Sequence, residues 1–65
     1  MKIRLNGADY EAASSAVAGL LEELRLPRQA VLVERNGQPL DRSEWDSISL
    51  REGDSLEILR ISAGG

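Results

Sequence analysis

Two Asn-Gly dipeptides, Asn6-Gly7 and Asn36-Gly37, constrain this chain more than any other feature, because each stands between two runs of strand character. A two-residue type I′ turn needs positive φ at both central positions, which asparagine and glycine tolerate, so each dipeptide predicts a tight antiparallel hairpin. Ahead of the first, Met1 to Leu5 alternates: Met1, Ile3 and Leu5 fall on one face, Lys2 and Arg4 on the other. That period of two marks a half-buried strand. Ala8 to Ala12 then returns as a second strand, with Tyr10 on one face. The second dipeptide joins A-V-L-V-E-R (Ala30 to Arg35) to a short strand around Gln38 to Leu40.

Between the hairpins the period changes. Val17, Leu20, Leu21 and Leu24 recur at i, i+3, i+4 and i+7, which gathers them on one side of a helix and leaves Glu22, Glu23 and Arg25 on the wet side. Ser14 or Ser15 is the expected N-cap. Gly19, in the interior, costs about 1 kcal/mol relative to alanine and is expected to let the helix approach the sheet closely. Leu26-Pro27 disfavours helical geometry at Leu26 and ends the helix near there. After the second hairpin, D-R-S-E-W-D-S-I-S-L has no period, and its tryptophan, Trp45, is expected at the rim of a small core. Gly53-Asp54 makes a turn, and Ser55 to Ile61 forms the last strand. Leu56 and Ile58 share one of its faces; Glu57, Leu59 and Ile61 share the other. Strand, strand, helix, strand, short strand, irregular segment and strand add up to an α+β fold, one helix layered on one mixed sheet.

Composition bounds the chemistry. A 65-residue chain buries only about 60% of the surface its unfolded form exposes, which leaves no room for a deep cleft. With 42% hydrophobic and 29% charged residues it has the balance of a folded domain. There is no cysteine and no histidine, so the commonest nucleophile, general base and metal ligands are all missing. The carboxylate pairs Glu22–Glu23 and Asp41 with Glu44 read as solvated surface, so no catalytic residue and no metal site is expected. The net charge is −3 and the eight cations are scattered singly, which argues against nucleic acid as a partner. The longest apolar stretch, Ala16 to Leu21, is far too short to span a bilayer, and the N-terminal residues lack an apolar signal core. No membrane partner and a cytoplasmic location are expected.

One feature is left over: the sequence closes on I-S-A-G-G, Ile61 to Gly65. At about 7% glycine in average proteins, two in succession at a fixed place arise by chance about once in 200 chains. The tail gains meaning only from what precedes it. The β-β-α-β-β-β order ending in Gly-Gly resembles the ubiquitin-like β-grasp. Within that fold E-R-N-G-Q-P-L-D-R-S-E-W (Glu34 to Trp45), L-R-E-G-D-S-L-E-I (Leu50 to Ile58) and the terminal A-G-G resemble the ThiS family of thiamin-biosynthesis sulfur carriers. The resemblance covers the whole chain and rests on Asn36-Gly37, the Arg42 and Trp45 spacing, Gly53-Asp54 and Gly64-Gly65 taken together. Two departures accompany it. Asp41 stands where the family pattern has proline, with Pro39 two residues earlier, and the proline found before Gly-Gly in the molybdopterin synthase small subunit is absent.

The resemblance implies a four- to five-stranded mixed sheet on one α-helix, with residues 1–61 as the β-grasp domain and residues 62–65 as a flexible tail. It also implies a protein co-substrate rather than an enzyme. The reactive group is then the α-carboxylate of Gly65, adenylated with ATP by a ThiF-like adenylyltransferase and converted to a thiocarboxylate by sulfur from a persulfide enzyme. Thiazole synthase, ThiG, takes that sulfur to build the thiazole of thiamin. Ser62, Ala63, Gly64 and Gly65 enter the partner's active site, where residues lacking bulk permit close backbone approach. ATP and sulfur donor belong to the partners, and no cofactor is bound here. If the last strand lies between the first and third, Leu59 and Ile61 stand beside Leu32 and the basic pair Lys2 and Arg4 on the side away from the helix. An apolar centre with a charged rim is the makeup of a transient interface. A molybdopterin synthase small subunit, or a carrier for another pathway, uses the same chemistry; a non-covalent β-grasp interaction module is the alternative of another class.

Overall fold

The computed structural model describes residues 1–61, and the expected tail, Ser62 to Gly65, lies outside them. Five strands and one helix follow each other as β1 (Lys2–Leu5), β2 (Ala8–Glu11), α1 (Val17–Glu23), β3 (Val31–Arg35), β4 (Gln38–Pro39) and β5 (Ser55–Arg60). Single 3-10 turns occupy Arg28–Ala30 and Arg42–Glu44. The sheet order is β2-β1-β5-β3-β4, so the last strand is central, between the first and the third as expected. It runs parallel to β1, with Arg4 opposite Ser55, and antiparallel to β3, with Leu32 opposite Leu59. Both hairpins close on their Asn-Gly pairs with φ of 50° and 84° at Asn6 and Gly7, and 51° and 84° at Asn36 and Gly37.

The alternation seen in the strands sorts the sheet into two faces. Ile3, Val31, Val33, Leu56 and Ile58 point to the side that meets Val17, Leu20 and Leu21 of α1, and all are buried. Trp45 and Leu50, from the irregular segment, complete this core. Trp45 is only 1% exposed, so it is a core residue and not the rim residue that its segment suggested. Its ring is covered by two guanidinium groups, Arg28 at 5.5 Å and Arg42 at 5.9 Å from the ring centroid. Arg42 in turn donates to the carbonyls of Arg28 (3.1 Å), Gln29 (3.2 Å) and Val31 (3.4 Å), strapping the irregular segment to the start of β3. A segment without period thus reaches the core because charged side chains tie its backbone down.

The helix is shorter than its apolar period and is capped differently from expectation. Neither Ser14 nor Ser15 is the N-cap; Ala16 holds that position without a side-chain bond. The free amide of Ala18 instead donates to the carbonyl of Trp45 at 3.1 Å, so a backbone group from the irregular segment replaces the side-chain cap. Gly19 serves Ser14 rather than the sheet, since a Cβ there would lie 2.9 Å from the Cβ of Ser14. At the other end Arg25 is left-handed, with φ of 58°. Its amide bonds the carbonyl of Glu22 (3.0 Å) and that of Leu26 bonds Leu21 (2.9 Å), which is the double bond of a Schellman motif. The helix therefore ends before Pro27 constrains it. No described helix is long and apolar enough to cross a membrane.

Candidate functional site

The helix-free face of the sheet carries the exposed apolar surface. Leu32, Leu59 and Ile61 are 52%, 48% and 40% exposed, and they are the large apolar side chains left open among the described residues. Leu32 and Leu59 are direct cross-strand partners, and Ile61 follows two residues on from Leu59, so alternation puts all three on one face. The amide of Ile61 donates to the carbonyl of Ala30 at 2.8 Å, which anchors the end of the patch to β3. The three residues expected to come together do so, at the end of β5 from which residues 62–65 follow.

Lys2 and Arg4 do not join them. Arg4 is opposite Ser55, four residues before Leu59 on β5, a separation of about 13 Å at the usual rise of a strand. Lys2 lies farther still in the same direction. Both are also engaged: Arg4 donates to the carbonyl of Gly7 at 2.6 Å, and each cation sits 3.8 Å from Asp9 of β2. The residues beside the apolar patch are acidic instead. Glu34 and Glu57 stand directly opposite each other, one step along β3 and β5 from the Leu32–Leu59 pair on the same face. Strand parity already put Glu57 with Leu59 and Ile61; Glu34 was missed because its facing partner depends on the β3–β5 register.

Three other carboxylates, Glu23, Glu44 and Asp54, hold local structure together. Glu23 accepts from the Tyr10 hydroxyl at 2.7 Å and from the amides of Ala13 and Ser14, and the Tyr10 bond leads in holding it below the usual glutamate range. Glu44 accepts from the amide of Asp41 at 2.9 Å, closing the 3-10 turn at the position where the family pattern has proline. Burial alone would push the Asp54 carboxyl up. Bonds from the Arg51 amide (2.9 Å), the Asn36 side chain (3.2 Å) and Arg35 (3.1 Å) outweigh it and hold Asp54 below its ordinary value. On the helix side an open groove of about 350 Å³ is lined by Leu5, Asn6, Leu24, Leu26, Ile58 and Arg60. It offers neither nucleophile nor general base. Among the described residues no three metal-ligating side chains gather in one place.

A fold of this kind, with an apolar patch at the tail end of its central strand, is matched over residues 3–65 by the model of the ThiS family. The chain belongs to the ThiS family. It is similar to the crystal structure of the thiamine biosynthesis protein ThiS from Geobacter metallireducens, with 30% identity, all of both chains covered and a TM-score of 0.83. The solution structure of a thiamine biosynthesis protein from the same organism gives 0.81 at the same identity, covering all of this chain and 88% of that one. The match establishes the ubiquitin-like β-grasp. The sulfur carrier protein ThiS of Bacillus subtilis is 28% identical over 97% of this chain and 98% of its own length. A thiazole synthase of Paramagnetospirillum magneticum is 36% identical over this whole chain, which spans 20% of that protein. The ThiS family match includes Gly64 and Gly65, the two residues that composition alone left unexplained.

Proposed function

We propose that this ThiS family member is the sulfur carrier of thiazole formation in thiamin biosynthesis, bearing sulfur as a thiocarboxylate on Gly65. The observation that carries the reading is the family match running through the Gly64-Gly65 end on a fold whose own groove holds no reactive group. A carboxylate is a poor electrophile. Attack of the Gly65 carboxylate on the α-phosphorus of ATP forms an acyl-adenylate and releases pyrophosphate. A partner's persulfide then displaces AMP to give an acyl disulfide, and a second partner thiol cleaves its S–S bond, which frees the Gly65 thiocarboxylate and leaves a disulfide on the partner. These steps belong to partners, a ThiF-like adenylyltransferase and a persulfide enzyme in the cytoplasm, and the chain is their substrate. Thiazole synthase is the acceptor. The similarity of this chain to one fifth of a thiazole synthase supports that pairing, because a carrier and its acceptor gain from being held together.

The body of the protein has the complementary task of recognition. Leu32, Leu59 and Ile61 form the docking patch, and burying the exposed parts of these side chains contributes ~1 kcal/mol each. Ser62 and Ala63, with the two glycines, reach from that patch into the partner's active site. Deleting Gly64 and Gly65 separates the carrier from a module that only binds. The shortened chain should keep its melting temperature and lose all thiazole-forming activity with the cognate enzymes. Full activity in the deleted chain would leave only the binding module.

A further inference from the structure

The sheet face that carries the apolar patch is unevenly charged. On its β1–β2 side opposite charges meet: Lys2 pairs with Glu11 and Arg4 with Asp9 across the hairpin, and both cations approach Asp9. On its β3–β5 side like charges meet. Glu34 and Glu57 are register partners, and directly opposed side chains on one face of an antiparallel pair have their Cβ atoms about 4.5–5.5 Å apart. Neither carboxylate has an ion pair or hydrogen bond among the described residues. The diagonal cation, Arg4, is turned away to Gly7 and Asp9, while Arg35 points to the other face and holds Asp54. Like charges directly opposite destabilise a sheet, so the free protein carries this pair at a cost that its own side chains leave unrelieved.

The pair adjoins Leu32 and Leu59, and a surface of that makeup is complementary to one apolar contact flanked by a cation. We infer that Glu34 and Glu57 together receive one guanidinium or ammonium group of the thiazole synthase that docks on Leu32 and Leu59, an inference that rests on the carrier reading above. A guanidinium bridging two carboxylates satisfies both at once and turns their mutual repulsion into attraction on binding. Docking then relieves a strain that folding leaves in place, and the acidic pair rejects partners that present a carboxylate there.

The test measures affinity and association rate for cognate thiazole synthase at low and moderate salt, with the melting temperature of each free chain. The variants are E34Q, E57Q, the double variant and L59E. The double variant should bind about tenfold or more weakly and lose most of the salt dependence of its association rate. It should also melt higher than the unsubstituted chain, a combination that a merely structural pair would not give. Unchanged affinity and salt response in the double variant overturns the inference, whether L59E binds or not. A substituted chain that binds weakly because it has partly unfolded is recognised by a lowered melting temperature, which equally contradicts the expected rise. Failure of the unsubstituted chain to bind thiazole synthase overturns the docking too, whereas sulfur loading at Gly65, read by mass, judges the carrier reading separately.

Discussion

At the scale of single residues, the two turn asparagines do more than accept positive φ. The side chain of Asn6 accepts from the amide of Ile58 at 2.8 Å and donates to its carbonyl at 3.3 Å, so it extends the β1–β5 ladder past the point where β1 turns away. Asn36 does the matching work at the other end of β5, accepting from Ser55 at 2.9 Å and donating to Asp54 at 3.2 Å. The central strand is therefore gripped at two places by side chains of the residues that make its neighbours' turns. Glycine would keep the backbone geometry and lose the grip. Asn6→Gly should destabilise the fold by about 1–2 kcal/mol, since two hydrogen bonds to partly buried backbone are lost. In a chain of this size that lowers the melting temperature by roughly 4–16 °C. A variant as stable as the parent would show that φ alone explains Asn6. The turn itself was legible in Asn6-Gly7, but the grip was not, because Ile58 is 52 residues away in sequence and only the closed sheet brings it near.

At the scale of elements, strands were read more surely than helix ends and the irregular segment. Period two and the Asn-Gly pairs place β1, β2, β3 and β5 to within a residue or two of the observed bounds. The helix was recognised by its apolar stripe, yet both its termini use groups that a local reading does not contain. Its start is capped by the Trp45 carbonyl, and its end by a left-handed arginine in a position that usually holds glycine. Trp45 itself was misplaced for the same reason: its burial depends on Arg28 and Arg42 closing over it from two different segments. The R-x-x-W spacing was the one available hint. Arg25 makes no side-chain bond or ion pair among the described residues, so replacing it should relieve backbone strain without other loss. Arg25→Gly should stabilise the protein by up to about 1 kcal/mol in urea denaturation, because a non-glycine residue at positive φ pays a steric cost that glycine avoids. Destabilisation by a similar amount would mean that the unfolded-state entropy of the added glycine outweighs the strain.

For the molecule as a whole, the family was legible in the runs Glu34 to Trp45 and Leu50 to Ile58 and in the terminal A-G-G, and the ThiS family match over residues 3–65 bears that reading out. The chain has neither cysteine nor histidine, and the groove of about 350 Å³ among the described residues is lined by apolar groups, Asn6 and Arg60. Its fold presents a surface and holds up a terminus. The surface was half legible: parity along β5 assembled Leu59 and Ile61, and the strand order brought Leu32 to them. The placement of Lys2 and Arg4 failed because strand order does not give register, and register puts them at the far end of the face. The same register produces the Glu34–Glu57 pair and replaces a basic rim by an acidic one. On the carrier reading proposed above, the working atom lies on Gly65 and the folded body ahead of it serves recognition. Intact-mass spectrometry after incubation with a cognate adenylyltransferase, ATP and a persulfide sulfur source tests this most directly. A mass gain equal to one oxygen replaced by sulfur is expected, localised to the Gly65 carboxylate and absent when ATP is withheld. A chain that binds these partners yet keeps its original mass would contradict it.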